Sequence, residues 1–204
     1  MGKAAGRAQV MRAFGIFGLV ALSLTACMTP AAQGRASLLG GAVQVGAPEG
    51  YCPEPQSRME RGDSAILLIG RCAGSAAQAP AVLTVAVGAA GSGAGLDLAA
   101  GGAELADFFR SDAGRQALSR RGRAADVTVL EARRSGAAFL MRLRDRGPQG
   151  RAPVQAESWR AVLPLGGRMV TLTVTGPADA PLDRDTGLAL LQAFVAATLA
   201  ANRS

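Results

Sequence analysis

WRAVLPLGGRMVTLTVT, residues 159–175, carries the strongest structural signal in this chain. Gly166-Gly167 stands between two alternating runs, and this arrangement predicts a β-hairpin with a two-residue turn. The turn fixes a register that puts three apolar pairs on one face: Leu163 with Val170, Ala161 with Leu172, and Trp159 with Val174. The other face receives Arg160, Thr171, Thr173 and Thr175. The segment therefore predicts two antiparallel strands with one face on a core.

A second hairpin is predicted just upstream, with its turn at Ser135-Gly136. That register collects three largely apolar pairs on one face: Ala132 with Phe139, Leu130 with Met141, and Thr128 with Leu143. The reverse face takes Glu131, Arg133, Arg142 and Arg144. Because a slip of one residue would move the apolar set into water, the register should be well specified.

Shorter strands are predicted nearer the N-terminus. Val43–Val45 alternates, and residues 80–88 (PAVLTVAVG) have strand length and strand composition. Residues 64–72 (SAILLIGRC) form a continuous apolar run rich in branched side chains, which is typical of a strand buried on both faces.

Two helical regions separate and follow these strands. Leu105, Phe108 and Phe109 share one helical face. Ser111-Asp112 then resembles a second N-cap, which predicts a kink or two short helices ending near Gly122. A last helix is expected from Asp183 or Asp185 to Asn202, with an apolar stripe of Leu188, Leu190, Leu191, Phe194, Val195 and Leu199.

The order of these elements defines the fold class. Strands, a helix, four strands and a helix follow one another without the βαβ alternation of a parallel sheet. We therefore predict an α+β fold, with an antiparallel sheet of about six or seven strands and helices packed against it.

The N-terminus carries an export signal. Lys3, Arg7 and Arg12 precede an apolar run over residues 13–24, whose length as a helix is about 18 Å, too short to span a membrane. A basic start, a short apolar run and a small-residue exit are typical of a signal peptide.

The exit, Leu24-Thr25-Ala26-Cys27, resembles the lipobox of bacterial lipoproteins, which implies cleavage before Cys27 and a lipid on its sulfur. We expect residues 1–26 to be the signal peptide, 27–41 a flexible tether and 42–204 a single domain.

The remaining cysteines and residue 28 refine the expected location. Cys52 and Cys72 form an even pair that should oxidise to a disulfide in the periplasm. A redox-active thiol pair is the alternative, but the spacing is far from C-x-x-C. Met28 favours the inner leaflet of the outer membrane over the cytoplasmic membrane.

Composition excludes much of the usual catalytic chemistry. The chain has no histidine, and its only lysine, Lys3, lies in the leader. Histidine triads, histidine metal sites and lysine Schiff bases are therefore excluded. The mature bases are all arginine, in an alanine- and glycine-rich chain, and the export signal argues against nucleic acid as a partner. We predict no catalytic residue, metal or cofactor.

Two segments partly resemble known ligand-binding motifs. Asp183-Arg184-Asp185 resembles part of a calcium loop, but Gly187 and Phe194 occupy positions where that loop needs ligands. A helix cap explains these aspartates better. Gly91–Gly95 does not match a phosphate-binding loop and is interpreted as a plain loop.

Arginines on the first hairpin offer one candidate binding site. Arg142 and Arg144, with Arg133, would form a row able to hold carboxylates or phosphates of an anionic envelope component. The alternative is a solvated sheet face in which Glu131, placed diagonally, pairs with Arg142.

Two resemblances add to this interpretation. Gly50-Tyr51-Cys52, Leu68–Cys72, residues 108–115 (FFRSDAGR) and Glu157–Ala161 resemble segments of small uncharacterised lipoproteins of Rhodobacter-related bacteria. The order of elements is similar to the Mog1/PsbP-like fold, whose members are mostly binding or assembly accessory proteins.

We therefore expect a cell-envelope lipoprotein, held to the membrane through Cys27, that binds an envelope protein or an anionic envelope component without catalysis. The alternative is a periplasmic hydrolase that uses paired carboxylates, which would need two such groups about 5–10 Å apart in a pocket.

Overall fold

The computed structural model describes Gly2 and residues 34–94, 101–147 and 153–203. The predicted signal peptide, residues 1–26, lies outside these residues except for Gly2, and so does Cys27, the predicted site of lipidation. The described elements are ten strands and three α-helices. The strands are β1 (Arg35–Leu38), β2 (Val43–Gly46), β3 (Tyr51–Pro53), β4 (Met59–Arg61), β5 (Ser64–Arg71), β6 (Val82–Val87), β7 (Val127–Ser135), β8 (Ala138–Asp145), β9 (Glu157–Leu165) and β10 (Arg168–Thr175). The helices are α1 (Gly102–Arg110), α2 (Asp112–Leu118) and α3 (Arg184–Ala201).

Eight strands form one antiparallel sheet in the order β3-β5-β6-β10-β9-β8-β7, with β4 also paired to β5. Because β3 and β4 pair with opposite ends of β5, they share one edge position, and the sheet is seven positions wide. β1 and β2 form a separate two-stranded sheet. The predicted α+β class, with an antiparallel sheet and helices packed on it, is confirmed.

The hairpin of β9 and β10 has the predicted register. Val170 pairs with Leu163, Leu172 with Ala161, and Val174 with Trp159. Gly166 and Gly167 adopt φ of 55° and 71°, which glycine reaches without steric cost. The local turn chemistry therefore decides the pairing at the centre of the sheet.

The hairpin of β7 and β8 differs from its prediction. Ser135 pairs with Ala138, so the turn is Gly136-Ala137, and Ala132 faces Met141 instead of Phe139. Gly136 adopts φ of 57° at the first turn position, which explains why the turn lies one residue later. A β-bulge then skips Leu130, so that Val129, and not Thr128, faces Leu143.

Two cores lie on the two faces of the large sheet. On the inner face, helix α3 and the β1–β2 sheet cover a core that includes Leu67, Leu83, Leu163, Leu172 and Phe194. On the outer face, α1 and α2 cover a smaller core of Ala106, Phe109, Leu118, Val127, Phe139, Met141, Leu143 and Val162. The sheet is therefore sandwiched between helical layers, but the outer layer is smaller.

The prediction that β5 is buried on both faces is wrong. Its inner residues Ala65, Leu67 and Ile69 are buried, whereas Ile66 and Leu68 on the outer face are 40% and 39% exposed. The strand is apolar on both sides, but the outer helices do not cover it.

The helices begin largely where the sequence indicates. Ser111 caps α2 by accepting a hydrogen bond from Gly114 N at 3.2 Å, so the predicted break into two short helices is confirmed. Two details differ: α2 ends at Leu118, before Gly122, and Phe108 is exposed. No helix among the described residues is long and apolar enough to cross a membrane.

The predicted tether extends too far. Arg35–Leu38 is a strand that pairs with β2, and a single 3-10 turn follows at Leu39–Gly41. Leu38 is fully buried against the inner core, which explains why this segment is ordered. Within the described residues, regular structure therefore begins at Arg35.

Candidate functional site

Exposed apolar side chains are concentrated on one part of the outer sheet surface. Five large hydrophobic residues are exposed among those described, and four of them lie on this surface: Met59, Ile66, Leu68 and Met169. Pairing across the strands shows that they share a face, because Met59 faces Ile66, Ile66 faces Ala86, and Ala86 faces Thr171. We call this surface the open face and define it as Met59, Ile66, Leu68, Thr84, Ala86, Met169, Thr171 and Thr173.

The open face continues the surface that α1 and α2 cover elsewhere. Thr171 pairs with Val162, which is 4% exposed beneath the outer helices. Val162 in turn pairs with Phe139, which is fully buried in the same core. One row of side chains therefore passes from a helix-covered region to an uncovered one.

None of the eight residues of the open face carries a charge. Arg61 lies at its rim, where β4 ends, beside a small hollow lined by Met59, Ser64 and Ile66. The rest of the surface is formed by methyl-bearing side chains and threonines. Such a surface is suited to contact with an uncharged, apolar partner.

A second feature is a cleft of about 650 Å³ in the inner layer, beside the end of β2 and the last turns of α3. Its walls include Gly34, Gly46, Tyr51, Cys52, Cys72 and Ala200. Cys52 and Cys72 form a disulfide, with their Cα atoms 5.0 Å apart, which is the pairing that the cysteine count predicts. We call this cavity the disulfide cleft.

The predicted arginine row is part of an ion-pair network. Arg142 Nη1 donates to Glu157 Oε2 at 3.3 Å, and its Nε lies 3.0 Å from Glu131 Oε1 without the angle of a hydrogen bond. Arg144 Nε donates to the same Glu157, at 3.1 Å. Glu131 also accepts two hydrogen bonds from Arg184, both at 2.7 Å. Glu131 lies directly opposite Arg142, not diagonally, because of the shifted register.

This pairing favours the structural interpretation of Arg142 and Arg144. Their guanidinium groups already face carboxylates, so an anionic ligand would have to compete with Glu131 and Glu157. Arg133 is exposed and lies on the same strand as Glu131.

Glu131 and Glu157 approach the same guanidinium, so the structure brings two carboxylates near each other. The cavity lined by Glu157 and Arg142 holds only about 20 Å³, roughly the room of one water molecule. Hydrogen bonds from Arg184 hold the pKa of Glu131 below its usual range. A hydrolase of the predicted kind needs a carboxyl group with a raised pKa to act as the acid, and this arrangement has the opposite effect on Glu131.

The remaining motif-like residues have structural positions. Asp183 caps α3 by accepting hydrogen bonds from Asp185 N and Thr186 N, both at 2.9 Å, which agrees with the capping interpretation. Residues 91–94 form turns, and Gly95 lies outside the described residues. Within the described ranges, no group of three acidic or cysteine side chains could hold a metal ion.

Neither the open face nor the disulfide cleft is predicted by the sequence. The signal for the open face was present, because residues 64–72 are apolar at both alternating positions. That pattern indicates two covered faces and does not say that, within the described part of the chain, one face has no cover. The cleft is formed by glycines, alanines and backbone from distant segments, which leave no local signal.

Comparisons with known proteins concern the overall fold. No family model matches the sequence, and the search of curated proteins gave no match. Among solved structures, the chain is similar to the Ran-binding protein Mog1p of Saccharomyces cerevisiae, with 14% sequence identity, a TM-score of 0.45, and coverage of 80% of this chain and 92% of that one. It is also similar to the cyanobacterial PsbP (CyanoP) of Synechocystis, with 13% identity, a TM-score of 0.45, and coverage of 80% and 89%. Mog1 and PsbP are the two proteins after which the fold resembled by the element order is named. A similarity of this size assigns neither an activity nor a site residue to this chain.

Proposed function

We propose that this protein is a lipid-anchored accessory protein of the bacterial envelope that binds another protein through its open face, without catalysis. The partner's contact surface is uncharged and largely apolar, because the open face presents no charge with which an ionic partner could pair. An anionic envelope polymer is the less suitable ligand, since Arg142 and Arg144 are engaged by Glu157.

The observation that carries this proposal is the mismatch between the sequence of β5 and its exposure. The strand has the composition of one buried on both faces, yet Ile66 and Leu68 are exposed on the outer side. Full burial of such a side chain contributes about 1.5–3 kcal/mol, so covering the exposed remainder of both would contribute roughly 1–2 kcal/mol in total. A docked partner would complete the outer layer that α1 and α2 leave unfinished.

The expected lipid on Cys27 would keep this binding near a membrane. Gly34 follows Cys27 by seven positions, and a chain of that length spans at most about 25 Å. The domain would therefore meet partners in the layer next to the membrane surface. The lipobox-like segment Leu24–Cys27 supports this anchor.

The binding surface can be tested by photo-crosslinking in intact cells of the source organism. A photoreactive amino acid at position 171 lies inside the open face without replacing a large apolar contact. We expect a defined adduct of the native chain, which is lost when Ile66→Thr and Leu68→Thr are combined. Phe108→Ser is the matched control, because Phe108 is an equally exposed apolar residue outside the open face.

The folded state of each variant is checked by its thermal transition before the adducts are compared. The binding proposal requires the same partner band in the native and Phe108→Ser chains and its loss in the double variant. An adduct that survives the double variant, or no adduct at all from position 171, would contradict it.

The anchor has its own test. Mass spectrometry of the mature N-terminal peptide should show residues 1–26 removed and a lipid on Cys27, and Cys27→Ser should release the domain from the membrane fraction. An unprocessed leader or an unmodified sulfur at Cys27 would remove the envelope location from the proposal while leaving the open face as a binding surface.

A further inference from the structure

The Cys52–Cys72 disulfide lies in the wall of the disulfide cleft, whose volume is about 650 Å³, and neither cysteine is fully buried. Cys72 also borders a second, more open hollow of about 410 Å³, together with Arg71 and Ser75. Cys72 therefore borders both cavities, and Cys52 borders the disulfide cleft. A disulfide placed only to stabilise a core has no need of such access.

The segment secured by the disulfide is small. β3 pairs with β5 through three residues, Tyr51 to Pro53. Next to them, Cys72 N donates to Gly50 O at 2.9 Å, and the Tyr51 hydroxyl donates to Ala79 O at 2.8 Å. Glu54 N also donates to Leu68 O of β5 at 2.9 Å, and the Tyr51 side chain is buried in the inner core, so these contacts attach the cleft wall beside the disulfide.

Most of the chain between the two cysteines is held independently of the bond. β5 pairs with β6 over five positions, from Ala65 with Val87 to Ile69 with Leu83. β4 pairs with β5 as well. Breaking the S–S bond would therefore remove the covalent tie of β3 to the end of β5 and leave the pairing of β5 with β6 and β4 in place.

The charge beside the bond favours attack by an anionic thiolate. Arg71 directly precedes Cys72 and lines the same hollow. Its positive charge reaches the Tyr51 side chain in β3, beside Cys52. Burial raises the pKa of the Tyr51 phenol, and the charge of Arg71 lowers that pKa by a smaller amount. A nearby cation also stabilises the thiolate that leaves when a disulfide is cleaved.

We propose that the Cys52–Cys72 disulfide is a thiol–disulfide exchange site and acts as a reducible latch on the disulfide cleft. The co-reactant is a dithiol, either a small molecule or a protein with two neighbouring cysteines. Its thiolate attacks one sulfur, which forms a mixed disulfide and expels the other cysteine as a thiolate that takes up a proton. The second thiol of the co-reactant then attacks the mixed disulfide, so the dithiol becomes a disulfide and Cys52 and Cys72 become thiols. Two electrons move from the dithiol to this bond.

Access is tested by reducing the folded native chain, solubilised from the cell in mild detergent, with millimolar dithiothreitol and alkylating the thiols that appear. We expect cleavage within minutes, at a rate that does not change with urea below the unfolding transition. Ala200→Trp, which places a large side chain at the mouth of the cleft, should slow the reaction about tenfold if attack comes from that side. Cleavage that requires the urea concentration of global unfolding would overturn the proposal.

The role of Arg71 is tested with glutathione, which carries negative charge, at low ionic strength. We expect Arg71→Glu to slow the first exchange step about fivefold, and added salt to reduce that difference. Arg61→Glu is the matched control, because Arg61 lies at the opposite end of β5 from Cys72. Equal rates for the two variants would overturn the contribution of Arg71.

The latch is tested by hydrogen exchange of the reduced, alkylated domain. Amide protection should fall at residues 50–52 and at Cys72, and it should persist in β6, β9 and β10. Loss of protection throughout the sheet would show a purely structural bond, and unchanged protection at residues 50–52 would show that nothing is latched. Either result would overturn the proposal.

Discussion

Arg184, the first residue of α3, donates two hydrogen bonds to the carboxylate of Glu131 in β7, with Nε–Oε1 and Nη2–Oε2 both 2.7 Å. The two residues are 53 positions apart in the chain. This bidentate contact ties the beginning of the inner helix to an edge strand, and Arg142 beside Glu131 extends it into the sheet. Planar guanidinium and carboxylate groups match each other in this geometry, so the contact is directional as well as ionic.

The Glu131 contact predicts a pH dependence of stability. The hydrogen bonds from Arg184 lower the folded-state pKa of Glu131 from its ordinary value of 4.5. A lowered pKa means that its contribution to stability is fully present above pH 4.5 and is lost as the pH falls through the folded-state pKa. Glu131→Gln should therefore lower the free energy of unfolding at pH 7 by about 1 kcal/mol.

Urea unfolding at pH 7 and pH 3 checks this expectation. The difference between the native chain and Glu131→Gln should shrink at the lower pH. Glu104→Gln, in an exposed position of α1, serves as the control and should change little at either pH. A difference between native and Glu131→Gln chains that is the same at both pH values would contradict the assignment.

A glycine at the end of β2 permits the close approach of α3. A Cβ atom on Gly46 would lie 2.3 Å from the carbonyl oxygen of Ala197 and 2.6 Å from its carbon. Both are backbone atoms of the helix, so the clash cannot be relieved by a side-chain rotation. Gly46→Ala should therefore lower the free energy of unfolding by about 1–3 kcal/mol or more.

The matched control for this prediction is Gly70→Ala. Gly70 also lies in a strand, but a Cβ atom there would meet nothing within 4 Å. Equilibrium unfolding of the two variants should separate them clearly, with Gly70→Ala near the native value. Equal losses would mean that the cost at Gly46 reflects the strand backbone rather than contact with the helix.

Asp145 fastens the end of β8 to two backbone groups. Its side chain is 1% exposed and accepts hydrogen bonds from Gly147 N at 2.8 Å and Arg120 N at 3.1 Å. Asp145→Ala would leave both amides without this acceptor in a buried region, and we expect a loss of about 2–4 kcal/mol. Thermal unfolding measures it, with Asp107→Ala, where the side chain is 83% exposed, as the control. A loss no larger than that of the control would show that water replaces the carboxylate.

The two hairpins show how far local sequence determines this fold. For β9 and β10, the Gly166-Gly167 turn and the alternation agree, and every predicted pair is found. For β7 and β8, one glycine at position 136 allows two turn placements, and the alternation survives a shift of two residues. The bulge at Leu130 has no signal of its own, since it depends on how the strand bends across its neighbour.

The candidate site was harder to predict because it depends on what is missing from a surface. Periodicity showed that β5 is apolar on both sides, but only the packing of α1 and α2 shows which side stays open. The partner of Glu131 was likewise out of reach. Arg184 lies in a different element, and the sequence showed it only as part of a helix cap.

The arginine row provides the last prediction. If its arginines are engaged in ion pairs with Glu157, their loss should lower stability, whereas a binding role would make their loss abolish affinity for an anionic ligand. Arg142 and Arg144 both donate to Glu157, so the carboxylate lies where an anionic ligand would have to bind. We expect the purified protein to show no salt-sensitive affinity for vesicles that contain anionic lipid, even at low ionic strength.

Replacing Arg142 and Arg144 together by alanine should instead lower the free energy of unfolding by about 1–2 kcal/mol, since it leaves Glu157 without both partners. Arg133→Ala, at an exposed position of the same row, should leave stability nearly unchanged. Affinity at low salt that disappears in the double variant would instead assign an anion-binding role to this row.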